Sequence, residues 1–335
     1  MICGNIYNLD EYLATKENAF DLYIGSISFE RRCIGAGLKI RKASQSVNNI
    51  YFIDYAYLPP ITAVRNVEDI KKIREERIKL QMANKEILAN LFSKNVEFVS
   101  VDIKDPLLDI VRATEQFFND RLSQINVAER ICIDISTFTK PFFFILLKMI
   151  VKNFSKRHFF IINTIPSEYT PSSLSFNIWG TEIMPAYNGI WNPHLRNALI
   201  AVLGFEGHKL SGIIDKWQFS EVIPIIGFPS FFPGLQDRAL LANAEVLRRV
   251  NVLQDINLLP SLNPFECYRI MNEIFVNLKG YNTAVAPLGP KPMALALNLL
   301  SIEHDLRVVY AFPQEYNPSY SKDMGESYLY EVKLQ

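Results

Sequence analysis

The chain has 335 residues, of which 49% are hydrophobic and 21% are charged, which is enough apolar material for one large domain or two ordinary ones. Its 35 basic and 35 acidic residues give a formal net charge of zero, which argues against a protein that binds long nucleic acid through its phosphates. The four cysteines form no CxxC pair, a pattern that disfavours a zinc site or a disulfide framework and is typical of the reducing cytoplasm.

The sequence also contains no segment that indicates a membrane or export. The longest apolar run, PFFFILLKMIV from Pro141, contains Lys148 and is too short to cross a bilayer. The N-terminal stretch MICGNIYNLDEY lacks a basic region followed by an apolar one. We therefore expect a cytoplasmic protein with no membrane partner.

Strand-like and helix-like segments alternate through the first half. The predicted strands are DLYIGSIS, NIYFIDYAY, VEFVSVDI, ERICIDIS and RHFFIINTI. The predicted helices are FERRCIGAGLKIRKA, the charged segment 67–92, DPLLDIVRATEQFFNDRL and KPFFFILLKMIVKNF. In the third of these helices, Asp105 is the expected cap and Pro106 the first helical residue. This alternation predicts a mainly parallel sheet covered by helices on both faces.

The same alternation starts again near residue 197. The predicted strands are NALIAVL, EVIPIIGF, NTAVAPL and LRVVYAF, and the predicted helices are GFEGHKLSGIIDKW, QDRALLANAEVLRR, NPFECYRIMNEIFVNL and KPMALALNLLSI. The turn residues of YNGIWNPHLRN place the boundary between the halves. We therefore predict an α/β protein of two tandem Rossmann-like units, residues 1–190 and 191–335.

Three short motifs recur in the same order in both halves, which indicates an internal duplication. They are a Phe-Glu motif (Phe29-Glu30 and Phe205-Glu206), a Lys-Pro motif (Lys140-Pro141 and Lys291-Pro292) and a Glu-Tyr segment (PSEYTPS, 166–172, and PQEYNPS, 313–319). Each motif follows a predicted strand. In parallel α/β sheets, ligands bind beyond the carboxyl ends of the strands, so all three motifs are expected on the ligand-binding side.

The first two motifs offer charged groups to a ligand. Free N–H groups at a helix start, with the charge of Lys140 or Lys291, could hold a phosphate. The alternative is a solvated lysine, although a cation is mildly unfavourable at the positive end of a helix dipole. Glu30 or Glu206 could accept hydrogen bonds from a ribose or a base, act as a general base, or simply favour a helix start.

The Glu-Tyr segments add aromatic rings and two further carboxylates. Tyr169 and Tyr316 could stack on a base, and Glu168 and Glu315 could pair with a lysine or a polar edge. A purely structural proline turn is the alternative. The candidate ligand-binding residues, including basic neighbours of the Phe-Glu motif, are Glu30, Arg32, Lys140, Glu168, Tyr169, Glu206, His208, Lys209, Lys291, Glu315 and Tyr316.

STFTK (residues 136–140) and LGPKP (288–292) each join a strand to an apolar helix through a short turn that contains a lysine. This arrangement resembles the lysine turn of CARF domains, the Rossmann-like sensors of cyclic oligoadenylate in prokaryotic antiviral systems. Two such units in one chain are similar in plan to SAVED domains, which sense cyclic oligonucleotides. The usual Gly-Gly-Thr-Lys turn is intact in neither copy.

We therefore expect a nucleotide-sensing regulatory protein. The resemblance implies a cyclic oligonucleotide as the ligand, a role in antiviral defence and a separate effector or complex subunit as the protein partner. The alternatives are an enzyme that cleaves a nucleotide bond, of phosphodiesterase or glycosidase type, and a non-catalytic assembly subunit. The sequence contains no GxGxxG after a strand, no P-loop, no HExxH and no GxSxG, and its histidines lack ligand spacing, so we expect no cofactor and no metal. The two lysine turns have diverged, and the second half, with FEGHK, is the preferred site.

Overall fold

A computed structural model of the chain describes residues 2–16, 19–44, 46–61, 67–92, 96–154 and 158–334. Its contacts divide the chain into two compact units, the first formed by Met1–Phe176 with Gln314–Gln335 and the second by Asn177–Pro313. In sequence, the second unit is therefore an insertion into the first. This division differs from the predicted one in two ways: the first stretch of the first unit ends at Phe176 instead of residue 190, and Gln314–Gln335 belong to the first unit instead of the second.

The elements, in chain order, are β1 (Ile2–Asn8), α1 (Leu9–Ala14), β2 (Leu22–Ser26), α2 (Arg32–Lys42), β3 (Asn49–Tyr57), α3 (Val67–Leu91), β4 (Val96–Ile103), α4 (Asp109–Asp120), α5 (Leu122–Val127), β5 (Ile131–Asp134), α6 (Lys140–Asn153), β6 (His158–Thr164), β7 (Glu168–Tyr169), β8 (Ser175–Ile183), β9 (Arg196–Val202), α7 (Gly207–Trp217), β10 (Glu221–Gly227), α8 (Leu235–Arg249), β11 (Asn257–Leu259), α9 (Pro264–Asn277), β12 (Tyr281–Pro287), α10 (Lys291–His304), β13 (Arg307–Tyr316), β14 (Ser321–Lys322) and β15 (Ser327–Leu334). Arg157, the first residue of the predicted strand RHFFIINTI, lies outside the described residues.

The sheet of the first unit has the strand order β1-β15-β6-β5-β2-β3-β4. Strands β6, β5, β2, β3 and β4 are parallel to one another, and β15 pairs antiparallel with β1 and β6. All five residues of β2 are buried, as expected for a central strand covered on both faces. Strand β2 is therefore the central strand of this unit. Its carboxyl end lies in the middle of the edge at which the five parallel strands end.

The sheet of the second unit has the order β11-β10-β9-β12-β13-β8, with parallel pairing from β11 through β13. If the five parallel strands of each unit are numbered in chain order, their order across the sheet is third, second, first, fourth, fifth in both units. An additional strand flanks the fifth in each, β15 beside β6 and β8 beside β13. The predicted α/β fold of two Rossmann-like units is confirmed, and the shared strand order is what a duplication would leave.

The predicted start of α4 is wrong. The sequence predicts Asp105 as the cap and Pro106 as the first helical residue, but α4 begins at Asp109. The Asp105 carboxylate accepts the N–H groups of Leu107 (2.8 Å) and Leu108 (3.3 Å), and the Asp109 carboxylate accepts those of Lys104 (2.9 Å) and Asp105 (2.8 Å). The two aspartates therefore stabilise a turn at this place, and the helix begins after it.

Candidate functional site

The two Lys-Pro motifs occupy the same position in their units, at the start of the helix that follows the fourth parallel strand. Helix α6 begins at Lys140 and helix α10 at Lys291, each with a proline as its second residue. Strand order reverses between the first and fourth strands of each sheet, and this is where ligands bind in folds of this kind. The predicted position of both lysines, at the carboxyl end of a strand, is confirmed.

The turn before each lysine lies against the loop after the first strand of the same unit. In the first unit, the hydroxyl oxygens of Ser26 and Thr137 are 2.8 Å apart. In the second unit, a Cβ atom on Gly204 would lie 2.3 Å from the carbonyl oxygen of Leu288. A side chain at Gly204 therefore could not fit, and the two backbone segments touch directly.

In the second unit, Glu206 and Lys209 form a buried ion pair where α7 begins. The Lys209 Nζ lies 2.5 Å from the Glu206 Oε2, and both side chains are less than a tenth exposed. Burial lowers the pKa of Lys209, and the Glu206 charge opposes that effect. His208, on the outer side of the same turn, also has a pKa that burial lowers. The Glu206 carboxylate is therefore engaged by a cation of its own helix.

Helix α8 fixes this loop from another side. The Asn243 side-chain amide donates a 2.8 Å hydrogen bond to the Gly204 carbonyl. A Cβ atom on Gly207 would lie 1.9 Å from the Ala242 carbonyl oxygen, so the first turn of α7 can approach α8 this closely only with glycine. The loop that carries Glu206 is consequently held on both sides by backbone contacts.

Positive charge and unpaired N–H groups gather at this edge of the second unit. The Arg238 guanidinium lies 4.4 Å from the centre of the Phe205 ring, and burial lowers its pKa. No hydrogen bond joins the backbone N–H of Gly289 or of Met293 to another group in the described part of the chain. Together with the charge of Lys291, this is the combination that binds phosphate at helix starts.

The first unit is built differently, because its Glu30 carboxylate lies within a closed hydrogen-bond network. The Glu30 Oε2 accepts bonds from Arg32, from the Tyr320 hydroxyl (2.8 Å) and from the Ser321 hydroxyl (2.9 Å). Arg32 is buried and also donates to the Thr164 carbonyl at 3.1 Å. A carboxylate that accepts this many bonds from its own chain is poorly placed to take a proton from a substrate.

In the first unit, an N–H group at the start of α6 is already bonded to a side chain of the protein itself. The Thr139 N–H donates to the Tyr55 hydroxyl at 3.0 Å, and that hydroxyl donates to the Thr137 carbonyl at 3.1 Å. Burial raises the pKa of Tyr55, so the hydroxyl keeps its proton. In the second unit the residue before the lysine is Pro290, which has no N–H to satisfy.

The two Glu-Tyr segments and the residues that directly follow them are joined by hydrogen bonds within the first unit. Strand β7, within the first segment, pairs antiparallel with β14, which follows the second. The Thr170 N–H donates to the Tyr320 carbonyl at 2.9 Å, and the Thr170 hydroxyl donates to the Ser319 carbonyl at 2.8 Å. The Asn317 N–H donates to the Leu174 carbonyl at 3.0 Å. This contact supports the structural alternative for the repeated sequence.

The glutamates of the two segments have unlike surroundings. Glu315 is fully buried and binds the Nε atoms of Arg74 (2.6 Å) and Arg77 (2.7 Å), both from α3. Glu168 has a side chain 55% exposed and lies 3.0 Å from the Lys322 ammonium. Glu168 therefore pairs with a lysine of the protein and Glu315 with two arginines, and contact of either carboxylate with a ligand stays a prediction.

The tyrosines of the segments pack against protein rings. Tyr316 lies edge-on to Tyr57, with ring centres 5.3 Å apart, and Tyr169 lies beside Tyr320 at 6.2 Å. Burial raises the pKa of Tyr169. Base stacking by Tyr169 and Tyr316 stays a prediction, and these contacts give each ring a packing role of its own.

One repeated site feature has no signal in the sequence. Asn84 of α3 donates a 2.8 Å hydrogen bond to the Ser28 carbonyl, as Asn243 of α8 does to Gly204. Ser28 and Gly204 each directly precede the Phe-Glu motif of their unit. Both helices follow the second parallel strand, but different loop lengths place the two asparagines at unequal distances from the motif. Only the folded structure aligns them.

No protein-family model and no curated protein matches the chain. Among the described residues, no group of three or more His, Cys, Asp or Glu side chains is arranged to hold a metal ion. Across the same residues, every helix is too short or too polar to pass through a lipid bilayer.

Proposed function

We propose that the protein is a nucleotide-sensing regulatory protein that binds its ligand at the carboxyl edge of the second unit. The ligand is a nucleotide or cyclic oligonucleotide, and a separate effector or complex subunit responds to the bound state. The observation that carries this proposal is the position of Lys291, which starts the helix after the fourth strand in a turn that touches the first-strand loop. Phosphate-bearing ligands bind at this place in parallel α/β sheets.

The local charges favour an anion. The ammonium of Lys291 and the positive end of the α10 dipole lie together at this place, and both attract a negative group. Arg238 brings a second cation to the adjacent loop, while the carboxylate of Glu206 is already bound to Lys209. A phosphate at this place would accept the N–H groups of Gly289 and Met293, and the positive charges of Lys291 and Arg238 would attract it.

A sensor is favoured over an enzyme by the state of the two candidate bases. General-base catalysis needs a carboxylate within reach of a substrate proton and free to accept it. Glu30 is bonded to Arg32, Tyr320 and Ser321, and Glu206 is paired with a buried lysine. The resemblance to CARF and SAVED domains, and with it a role in antiviral defence, remains part of this proposal.

A thermal-shift screen tests the proposal. The wild type, Lys291→Ala and Lys140→Ala are melted with mononucleotides, dinucleotides and cyclic oligonucleotides, and each mixture is analysed by mass spectrometry for cleavage. A ligand at a hundred times its Kd stabilises a protein by about 2.7 kcal/mol, which gives a clear rise in Tm. We expect that rise in the wild type and in Lys140→Ala but not in Lys291→Ala. Cleavage of the ligand would favour the enzyme, and no rise with any nucleotide would contradict nucleotide sensing.

A further inference from the structure

We infer that the equivalent site of the first unit is occupied by the chain's own Tyr320 and Ser321, so that each chain binds one nucleotide. The count of one rests on the function proposed for the second unit. The self-occupation of the first unit depends on contacts within that unit alone, and it holds even if the second unit binds something else.

Glu30 marks the place in the first unit that Glu206 marks in the second. Both follow the first parallel strand, and in each case an asparagine of the helix after the second strand binds the carbonyl two residues before the glutamate. Asn84 does so in the first unit and Asn243 in the second. Since strand order reverses beside this loop, Glu30 lies where a ligand of the first unit would bind.

The contacts of Tyr320 at Glu30 are those that a bound nucleoside would make. Its hydroxyl donates to the Glu30 carboxylate at 2.8 Å and accepts from Arg32 at 2.9 Å. Ser321 adds a second hydroxyl, 2.9 Å from the same carboxylate, and the ring of Tyr169 lies beside that of Tyr320. An aromatic ring with a polar edge and a neighbouring hydroxyl thus fills the position, as a base and a ribose would.

A paired backbone holds these two side chains in place. Ser321 and Lys322 pair with Tyr169 and Glu168, and the Ser167 N–H donates to the Lys322 carbonyl at 3.0 Å. Further along, the Gly325 N–H donates to the Ile165 carbonyl at 2.8 Å, and β15 then pairs with β6 over seven residues. The segment with Tyr320 is therefore a built part of the first unit.

The second unit has no such segment after its fifth strand. The second unit ends at Pro313, within β13, and the remaining residues of that strand belong to the first unit. Glu206 is paired instead with Lys209 of its own helix. The course of the chain therefore explains why Tyr320 and Ser321 fill the site of the first unit while no equivalent residues of the described chain fill the site of the second.

Calorimetry with adenosine 5′-monophosphate, in a Lys291→Ala background, tests the self-occupation. We expect Lys291→Ala to bind no nucleotide. Lys291→Ala/Tyr320→Phe, which keeps the aromatic ring, should also bind none. Lys291→Ala/Tyr320→Ala, which removes the ring, should bind one nucleotide per chain. Tyr320→Leu serves in place of Tyr320→Ala if the latter fails to fold, as judged by circular dichroism. A folded ring-removal variant that gains no binding would overturn the inference. So would a site in Lys291→Ala alone that Lys140→Ala removes.

Hydrogen exchange of the wild type tests the same inference without a ligand. The amides of Thr170 and Gly325, which bond across the segment, should exchange at least about tenfold more slowly than unstructured chain. Exchange at the unstructured rate would mean that Tyr320 leaves the site, contrary to the inference. If the wild type binds no nucleotide but the ring-removal variant does, the proposed function fails while the self-occupation stands.

Discussion

Asn84 and Asn243 hold equivalent loops in the two units, each through a 2.8 Å hydrogen bond to the carbonyl before the Phe-Glu motif. The two residues are buried, and each lies in the helix that follows the second parallel strand of its unit. The two amides perform the same task at the same topological position, as a duplication of the unit would leave them. The similarity between the two units therefore includes the tertiary contacts that position the Phe-Glu motifs, in addition to the short motifs themselves.

Asn243→Ala should destabilise the second unit. The change removes the donor to the Gly204 carbonyl and a second 2.8 Å bond to the Ala239 carbonyl. Loss of this partly buried bond and of the buried bond to Ala239 should cost about 1–3 kcal/mol, which urea denaturation measures. The control is Asn277→Ala, at an exposed position at the end of α9, for which a change within about 0.5 kcal/mol is expected. Equal effects of the two substitutions would show that the amide does not hold the loop.

The two Glu-Tyr segments provide a matched pair of substitutions. Glu315→Gln leaves Arg74 and Arg77 beside an uncharged group, and loss of a partner from a buried ion pair costs about 3–5 kcal/mol. Glu168→Gln removes only an exposed pair with Lys322, worth about 0–1 kcal/mol. Urea denaturation of both variants checks the difference. If Glu168→Gln proved the more damaging, the structural importance assigned to the second segment would be incorrect.

Gly207→Ala should disrupt the contact between α7 and α8. Its Cβ would lie 1.9 Å from the Ala242 carbonyl oxygen, and overpacking of this kind typically costs about 1–3 kcal/mol. Gly180→Ala is the control, because the nearest atom to its Cβ is a Glu182 side-chain carbon at 3.6 Å. Thermal denaturation should show a lower Tm for Gly207→Ala and little change for the control. An unchanged Tm for Gly207→Ala would refute the close approach of these helices.

Glu331 should make the first unit sensitive to acid. Burial alone would raise the pKa of its carboxyl, but hydrogen bonds from Asn5, Lys333 and His158 outweigh burial and hold the pKa below its ordinary value. Because the folded pKa is the lower one, this stabilisation is complete above the unfolded value of about 4.3. It is lost as the pH falls from that value through the folded pKa.

Urea denaturation of the wild type and Glu331→Gln across pH 3 to 7 measures this contribution. The destabilisation caused by Glu331→Gln should be largest at neutral pH and should shrink as the pH falls below about 4. A difference that stays constant over the whole range would contradict a lowered pKa for this carboxyl.

Local patterns in the sequence predict the parallel core of both units. Alternating apolar strands and helices locate β2 to β6 and β9, β10, β12 and β13, and the Lys-Pro motifs locate the starts of α6 and α10. These features depend on residues close together in the chain, where periodicity and capping preferences act. Such a local preference is also seen at Asn263, whose side chain caps α9 by accepting the N–H groups of Phe265 and Glu266.

Features that depend on distant pairing could not be predicted in this way. Strand β15 belongs to the first sheet because residues Ser327 to Lys333 pair with β6. The sequence of β15 does not by itself indicate which strand it pairs with. The hydroxyl of Tyr320 reaches Glu30 across 290 residues of chain. For the same reason, the boundary predicted at residue 190 assigned the C-terminal strand to the second unit.

Hydrogen-exchange mass spectrometry, with and without the nucleotide that gives the largest rise in Tm, tests the central claim most directly. Nucleotide binding in the second unit predicts slower exchange in peptides that cover residues 203–209 and 288–293, with no change in those that cover 28–32 and 136–141. Protection of the first-unit peptides, with the second-unit peptides unaffected, would contradict the account.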